Sequence, residues 1–154
     1  MNLEEILKNL ELFNGVTQPD LKVLENFGKI EKYEEGQEIF HEASIESDLY
    51  LLLEGRVQVN VELGKSEHAT FHTILPGKLF GEFSFIDQEP RSATAIAIKP
   101  SKILKFARAD LLEFFAKNNH AGYIVMFNMS KILARRIRQS AHELKSSLMW
   151  DKSA

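Results

Sequence analysis

Val57-Gln58-Val59-Asn60-Val61 alternates apolar and polar side chains for five residues, the period of two that marks a strand with one face in a core. Outward from this segment the theme repeats in short pieces. From Ile30 to Phe106 the apolar residues come in brief runs broken at Glu35-Gly36, Glu54-Gly55, Gly64-Lys65, Pro76-Gly77 and Lys99-Pro100, pairs that turn a chain. Ala93 to Ile98 and Ile103 to Phe106 are further strand candidates. Short strands at this spacing predict a small antiparallel barrel or jelly roll.

On both sides of the roll the period becomes helical. Leu3, Ile6, Leu7 and Leu10 recur on one helical face, and Leu21, Leu24 and Phe27 follow a start signal at Pro19-Asp20. Beyond Phe106, Leu111, Leu112, Phe114 and Phe115 mark one helix, and a longer one runs from Asn119 to Leu148, with Ser146 to Ala154 as a frayed tail. A chain of 154 residues, 44% of them apolar, has the size and core of a single domain. The expected class is α+β, mainly β. Residues 1–29 would form an N-terminal helical segment, 30–107 an antiparallel β-roll, and 108–148 two C-terminal helices.

Composition removes several classes of function. The formal net charge of −3 gives no general basic field for nucleic acid, and the Arg135, Arg136, Arg138 cluster reads as a solvated helix face. The absence of cysteine excludes disulfides, thiolate catalysis and cysteine-rich zinc sites, and fits a reducing cytoplasm. Met1 to Leu12 carries Glu4, Glu5 and Lys8 within its apolar pattern, so it is neither signal peptide nor membrane span. No membrane partner is expected.

The chemistry concentrates in Leu79-Phe80-Gly81-Glu82-Phe83-Ser84-Phe85-Ile86-Asp87-Gln88-Glu89-Pro90-Arg91-Ser92-Ala93-Thr94-Ala95. Gly81 admits close backbone approach, and one helical turn after it would offer free N–H groups to an anion. Glu82 supplies an acceptor-only carboxylate suited to a sugar hydroxyl. Arg91 can neutralise a phosphate through charge-assisted bonds. A ligand carrying both a hydroxyl and a phosphate accounts for the pair. A structural Glu–Arg salt bridge would account for those two residues alone, but not for Gly81 before them and Ser92-Ala93-Thr94 after them.

At these residues the sequence resembles the phosphate-binding cassette of the cyclic-nucleotide-binding domains of catabolite activators, kinase A regulatory subunits and nucleotide-gated channels. The resemblance covers the whole chain and implies the helical entry, the eight-stranded roll and the two closing helices, with Gly36, Gly55 and Gly77 at turns. It implies that Glu82 binds the ribose 2′-hydroxyl, Arg91 the cyclic phosphate, and backbone N–H groups near Phe83, Ser84, Ser92 and Ala93 complete the cradle. Val59 and Phe71 would form an apolar wall beside the base. Phe83-Ser84-Phe85 departs from the commoner aliphatic, small, Leu pattern, although Ser84 is still small. Ser92, after the arginine, resembles the serine of the bacterial activator, so cyclic AMP is favoured over cyclic GMP. A domain that kept this fold and lost its affinity, serving as a protein-interaction module, is the alternative.

The helix from Asn119, expected to be both a dimer seam and a lid over the base, carries Met126, Ser130, Leu133, Ile137, Ser140 and Leu144 at alternating steps of four and three, a spacing that suits a parallel partner helix. Ile124, Phe127 and Ile132 are then the set for packing on the roll. Leu133-Ala134-Arg135-Arg136-Ile137 resembles the dimerising helix of the activator branch, which implies a homodimer and puts Ser140 and Ala141 where two hydroxyl residues touch adenine. Ala141 has no hydroxyl. The activator branch adds a helix-turn-helix domain after this helix, and the sequence ends at Ala154, so no DNA-reading part is expected and the output would pass to an effector protein or a second copy.

Two rival chemistries draw on the histidines. A cupin-like metal site needs clustered ligands, but of His41, His68, His72, His120 and His142 only His68 and His72 are close, at a spacing too long for paired strand ligands. A haem-based gas sensor would need an axial ligand such as His72, and a lone strand histidine is more often a surface residue. Neither metal nor catalysis is expected, for no activated nucleophile or acid pair stands out.

Overall fold

The computed structural model describes residues 2–153. Three short pieces open the chain: helix α1 (Leu3–Lys8), a 3-10 turn (Glu11–Phe13) and helix α2 (Gln18–Leu24). Asn2 and Thr17 cap the two helices by accepting from the N–H groups of Glu5 and Asp20. Strands β1 (Gly28–Tyr33), β2 (Glu38–Phe40), β3 (Leu49–Glu54), β4 (Val57–Glu62), β5 (His68–Ile74) and β6 (Leu79–Phe80) lead to helix α3 (Glu82–Asp87). After β7 (Thr94–Ala97) and β8 (Ser101–Phe106) the chain closes with α4 (Arg108–Lys117) and α5 (Asn119–Ser153).

The strands form two four-stranded antiparallel sheets, ordered β1-β8-β3-β6 and β2-β7-β4-β5. This is the roll that the turn spacing predicts, with the eight strands that the resemblance implies. Its central strand β3 does not alternate in polarity because both of its faces are buried. Leu49 and Leu51 pack toward the helices with Leu104 and Phe106 of β8. Tyr50 and Leu52 face the inside of the roll with Val57, Ile74, Phe80 and Ile103. One strand thus serves two cores. Gly55 makes the tight turn into β4: its φ is +98°, and a Cβ there would lie 2.5 Å from the carbonyl oxygen of Pro100.

The helix α5 differs from expectation in three ways. It stays helical to Ser153, so the segment from Ser146 is no frayed tail. The residues that seat it are Ala121, Val125, Met129 and Ile132, all buried, with Ile124, Met126 and Leu133 packed beside them; Phe127, expected on that face, is half-exposed. Met126 and Leu133 therefore leave the supposed partner-facing stripe for the core. The buried Asn128 also ties the helix to the chain entry, its Nδ2 donating to the carbonyls of Leu12 (3.0 Å) and Asn14 (2.8 Å). From Ile137 to Ser153 every residue of α5 is exposed.

Candidate ligand cavity

Gly81 ends β6 with φ +76° and stands as the N-cap of α3 without a side chain to close the helix end. The first N–H groups of α3 therefore lack both intrahelical and capping partners. Gly81 is also pressed from behind, since a Cβ there would fall 2.8 Å from Arg91 Nη1 and 3.2 Å from the carbonyl oxygen of Asp48. We expect Gly81→Ala to lower the unfolding free energy by about 2 kcal/mol, from left-handed strain and this collision together. Urea denaturation reads it, and an unchanged midpoint would show that the conformation is not enforced.

Arg91 is 3% exposed and is held on all sides. Its Nε and Nη2 donate to Glu46 Oε2 at 3.0 and 2.6 Å, Nη2 also to the Asp48 carbonyl at 2.7 Å, and Nη1 to the Gly81 carbonyl at 2.7 Å. Its guanidinium carbon lies 4.2 Å from the centre of the Phe40 ring, a cation–π stack. Of five guanidinium N–H groups four are used, leaving one on Nη1. Glu46 Oε1 meanwhile accepts from the Asp48 N–H and the Tyr50 hydroxyl. Burial and the nearby Glu46 carboxylate push the Tyr50 hydroxyl far above the ordinary tyrosine range, which keeps it a donor. Arg91 is aimed before any ligand arrives.

Glu82, also buried, accepts at Oε1 from Arg136 Nη1 of α5 at 2.7 Å, while Arg136 Nη2 donates to the Leu79 carbonyl at 2.6 Å. Its other oxygen accepts no hydrogen bond among the described residues. One expectation is corrected here, and one rival reading is set aside. Arg136 is not a solvated helix-face cation: its side chain is 20% exposed and spans from helix to cassette. Glu82 and Arg91 do not pair with each other but with Arg136 and Glu46.

These groups surround one cavity of about 240 Å³, small-ligand size and mostly apolar in its walls. Gly81, Glu82, Phe83, Ser84, Arg91, Ser92 and Ala93 line it from the cassette, Val59 and Phe71 from β4 and β5, and Ser140 from α5. All ten positions picked from sequence thus fall on one concave surface. Sequence reasoning missed Phe40, His72, Ile74, Phe80 and Arg136 as lining residues, and placed Leu133 and Ile137 in the partner-facing stripe of a helix read as both seam and lid. His72 in particular is half-buried on the wall rather than a surface residue. Phe40 carries no local signal, for its role rests on Arg91 arriving from fifty residues away.

Residues 30–118, more than half of the chain, match the sequence profile of the cyclic nucleotide-binding domain. The chain belongs to the cyclic nucleotide-binding domain family. It is 31% identical over 139 residues to the cyclic AMP receptor protein of Thermus thermophilus, which covers 90% of this chain and 62% of that protein. The crystal structure of the Thermus thermophilus catabolite activator protein superposes with a TM-score of 0.74 at 30% identity, over 88% of this chain and 62% of that one. The potassium channel KAT3 of rice is 28% identical over 82% of this chain but only 25% of its own length. A cyclic nucleotide-binding domain from Methylobacillus flagellatus, at 24% identity, shares the fold with a TM-score of 0.81 over 92% of this chain and 80% of its own. The chain therefore spans less than two thirds of the curated relatives just named. Within this family the domain is a regulatory module. Among the described residues no group of three or more His, Asp or Glu side chains could hold a metal, and no helix is long and apolar enough to cross a membrane.

Proposed function

We propose that this domain is a sensor for a cyclic nucleotide monophosphate, cyclic AMP in preference to cyclic GMP, and that it performs no chemistry on it. The observation that carries the reading is the pairing of two differently prepared groups on one cavity: a pre-aimed cation, Arg91, beside an uncapped helix end, and a buried carboxylate, Glu82, with one oxygen unused. The cation and the N–H groups of Phe83, Ser84, Ser92 and Ala93 take the phosphate; the carboxylate takes the ribose 2′-hydroxyl. Val59 and Phe71 offer apolar surface to the base, and Ser140 a hydroxyl from α5. Ser92 and the likeness to a cyclic AMP receptor protein favour adenine.

Signalling follows from Arg136. Because it fastens α5 to Glu82 and to Leu79, a ligand that engages Glu82 acts on the position of α5. That helix also presents an exposed stripe, Tyr123, Phe127, Ser130, Ala134, Ile137, Ala141, Leu144 and Leu148, at unbroken steps of four and three. Every member is apolar or small, the pattern of a two-stranded seam. A second copy packed along this stripe makes a homodimer, and an effector protein reads the change in α5.

Calorimetric titration tests the ribose assignment. Glu82→Ala should weaken cyclic AMP binding by about ten-fold, close to 1.4 kcal/mol, and weaken a 2′-deoxy analogue much less. Equal losses would assign Glu82 the sole task of anchoring Arg136.

A further inference from the structure

His72 belongs to two cavities at once. It lines the cavity described above and a second, more polar one of about 490 Å³ on the other side of Arg136, so that His72, Arg136 and Ser140 stand in the partition between them. On β4 its partner is Val59, and residues paired across strands project from the same face, which puts His72 on the wall that Val59 lines; the register shift at Phe71 lets that neighbour line the same cavity. We propose that His72 forms part of the surface against which the base lies and that the neutral imidazole is its binding-competent form, so that nucleotide affinity falls when the ring takes up a proton. The proposal rests on the nucleotide reading of the cavity.

Three observations carry it. The ring is half-buried before any ligand is present, and a base laid against it removes more water from it, which disfavours the charged form. The charged groups facing it are Arg136 and Glu143 of α5 and Glu82 of α3, with Arg91 across the first cavity and Lys78, Arg135 and Glu11 around the second. Burial, then Arg136, hold the imidazole below the ordinary histidine range against the opposing pull of Glu82 and Glu143. A ligand hydroxyl on Glu82 spends part of that carboxylate's capacity to favour an imidazolium, and leaves the Arg136 repulsion in place; the negative charge of the phosphate pulls the other way but is met by Arg91, so burial of the ring under the base sets the sign. Binding thus lowers the proton affinity of His72 further, and by linkage proton uptake weakens binding. His41, His68, His120 and His142 line neither cavity, so this sensitivity is local.

The sign also fixes an effect on the free protein. A histidine whose folded value is depressed contributes stability at high pH that is lost as the pH falls below the unfolded value of about 6.5. His72→Gln, which keeps a polar side chain of similar reach, removes that part of the acid sensitivity.

The test is cyclic AMP titration of wild type and His72→Gln at about pH 7.5 and about pH 5.5, with the His72 ring resonances followed through a pH titration with and without cyclic AMP. We expect wild-type affinity to fall over that interval by less than about ten-fold, the ceiling for a histidine held below about 6.5, and the variant to change by less than half as much on a logarithmic scale. In wild type, cyclic AMP should shift the His72 titration to lower pH, a readout that does not depend on the variant folding. A shift to higher pH, or equal pH dependence in both proteins, overturns the role of His72 while leaving nucleotide binding standing. No binding of cyclic AMP at about pH 7.5 overturns the nucleotide reading itself and this inference with it.

Discussion

Arg91→Ala is expected to weaken cyclic AMP binding by more than about ten-fold, the loss of one charge-assisted phosphate contact, and to destabilise the free protein as well. The second effect follows from the four protein hydrogen bonds its guanidinium makes, which serve the fold whether or not a nucleotide is present. Removing one partner of a buried ion pair costs about 3–5 kcal/mol when the other charge is stranded. Here Glu46 is one-third exposed and keeps hydrogen bonds from Tyr50 and the Asp48 N–H, so a loss of about 1–3 kcal/mol is expected. Denaturation curves and calorimetry on the same protein separate the two effects. Glu46→Gln is the informative companion: it retains the cation and loses only its aim, and should reduce affinity by a few-fold, roughly 0.5–1 kcal/mol. If Arg91→Ala binds cyclic AMP as tightly as wild type while being less stable, Arg91 is a structural bridge and the phosphate lies elsewhere.

The second large effect concerns assembly. Light scattering after size exclusion should find the wild type dimeric at tens of micromolar, and Phe127→Glu with Leu144→Glu monomeric. Each substitution sets a carboxylate at a seam position of one copy against the same carboxylate or apolar surface of the other, and unpaired charge in a dry interface is strongly unfavourable. Both positions lie on the exposed stripe and neither lines the nucleotide cavity, so the monomer should remain folded. Leu133 would be a poor choice for this purpose, because it packs on the core and lines the cavity, and a glutamate there would damage both. A wild type that stays monomeric with and without cyclic AMP removes the seam and leaves α5 as an intramolecular element only.

The register of that stripe shows what kind of information a sequence holds. Two interleaved sets on α5, one beginning at Met126 and one at Tyr123, both satisfy the four–three rule and share Ser130, Ile137 and Leu144. Periodicity cannot choose between them; it depends on which face the roll occupies. In the structure Val125, Met129 and Ile132 sit in the core, carry Met126 and Leu133 with them, and turn Tyr123, Phe127, Ala134 and Ala141 outward. The helix runs past Leu148 to Ser153 for a related reason. Ser146 and Ser147 in a polar tail weaken the helical signal locally, whereas about seven preceding turns of continuous helix supply the nucleus and each added residue then forms one more hydrogen bond.

Neighbouring residues encode the parts of this fold that were legible before any tertiary contact was known. Turn pairs and a period-two strand specify the roll, helical periods specify its flanks, and Gly81-Glu82 with Arg91-Ser92-Ala93 places the groups that line the cavity. These signals are local: a backbone that must adopt positive φ needs its glycine, and a cation nine residues after a carboxylate stays within one loop and its ends. Tertiary structure alone decided who holds those groups. Arg91 is aimed by Glu46, 45 residues earlier, and Glu82 by Arg136, 54 residues later. His72 becomes a cavity wall only because α5 folds back over β5. Such pairings leave no trace in spacing or composition, since any lysine, arginine or glutamate on a helix or loop satisfies the local pattern equally well. Which one enters the cavity is decided when the two cores on either side of β3 are packed, because that packing fixes where α5 crosses the roll.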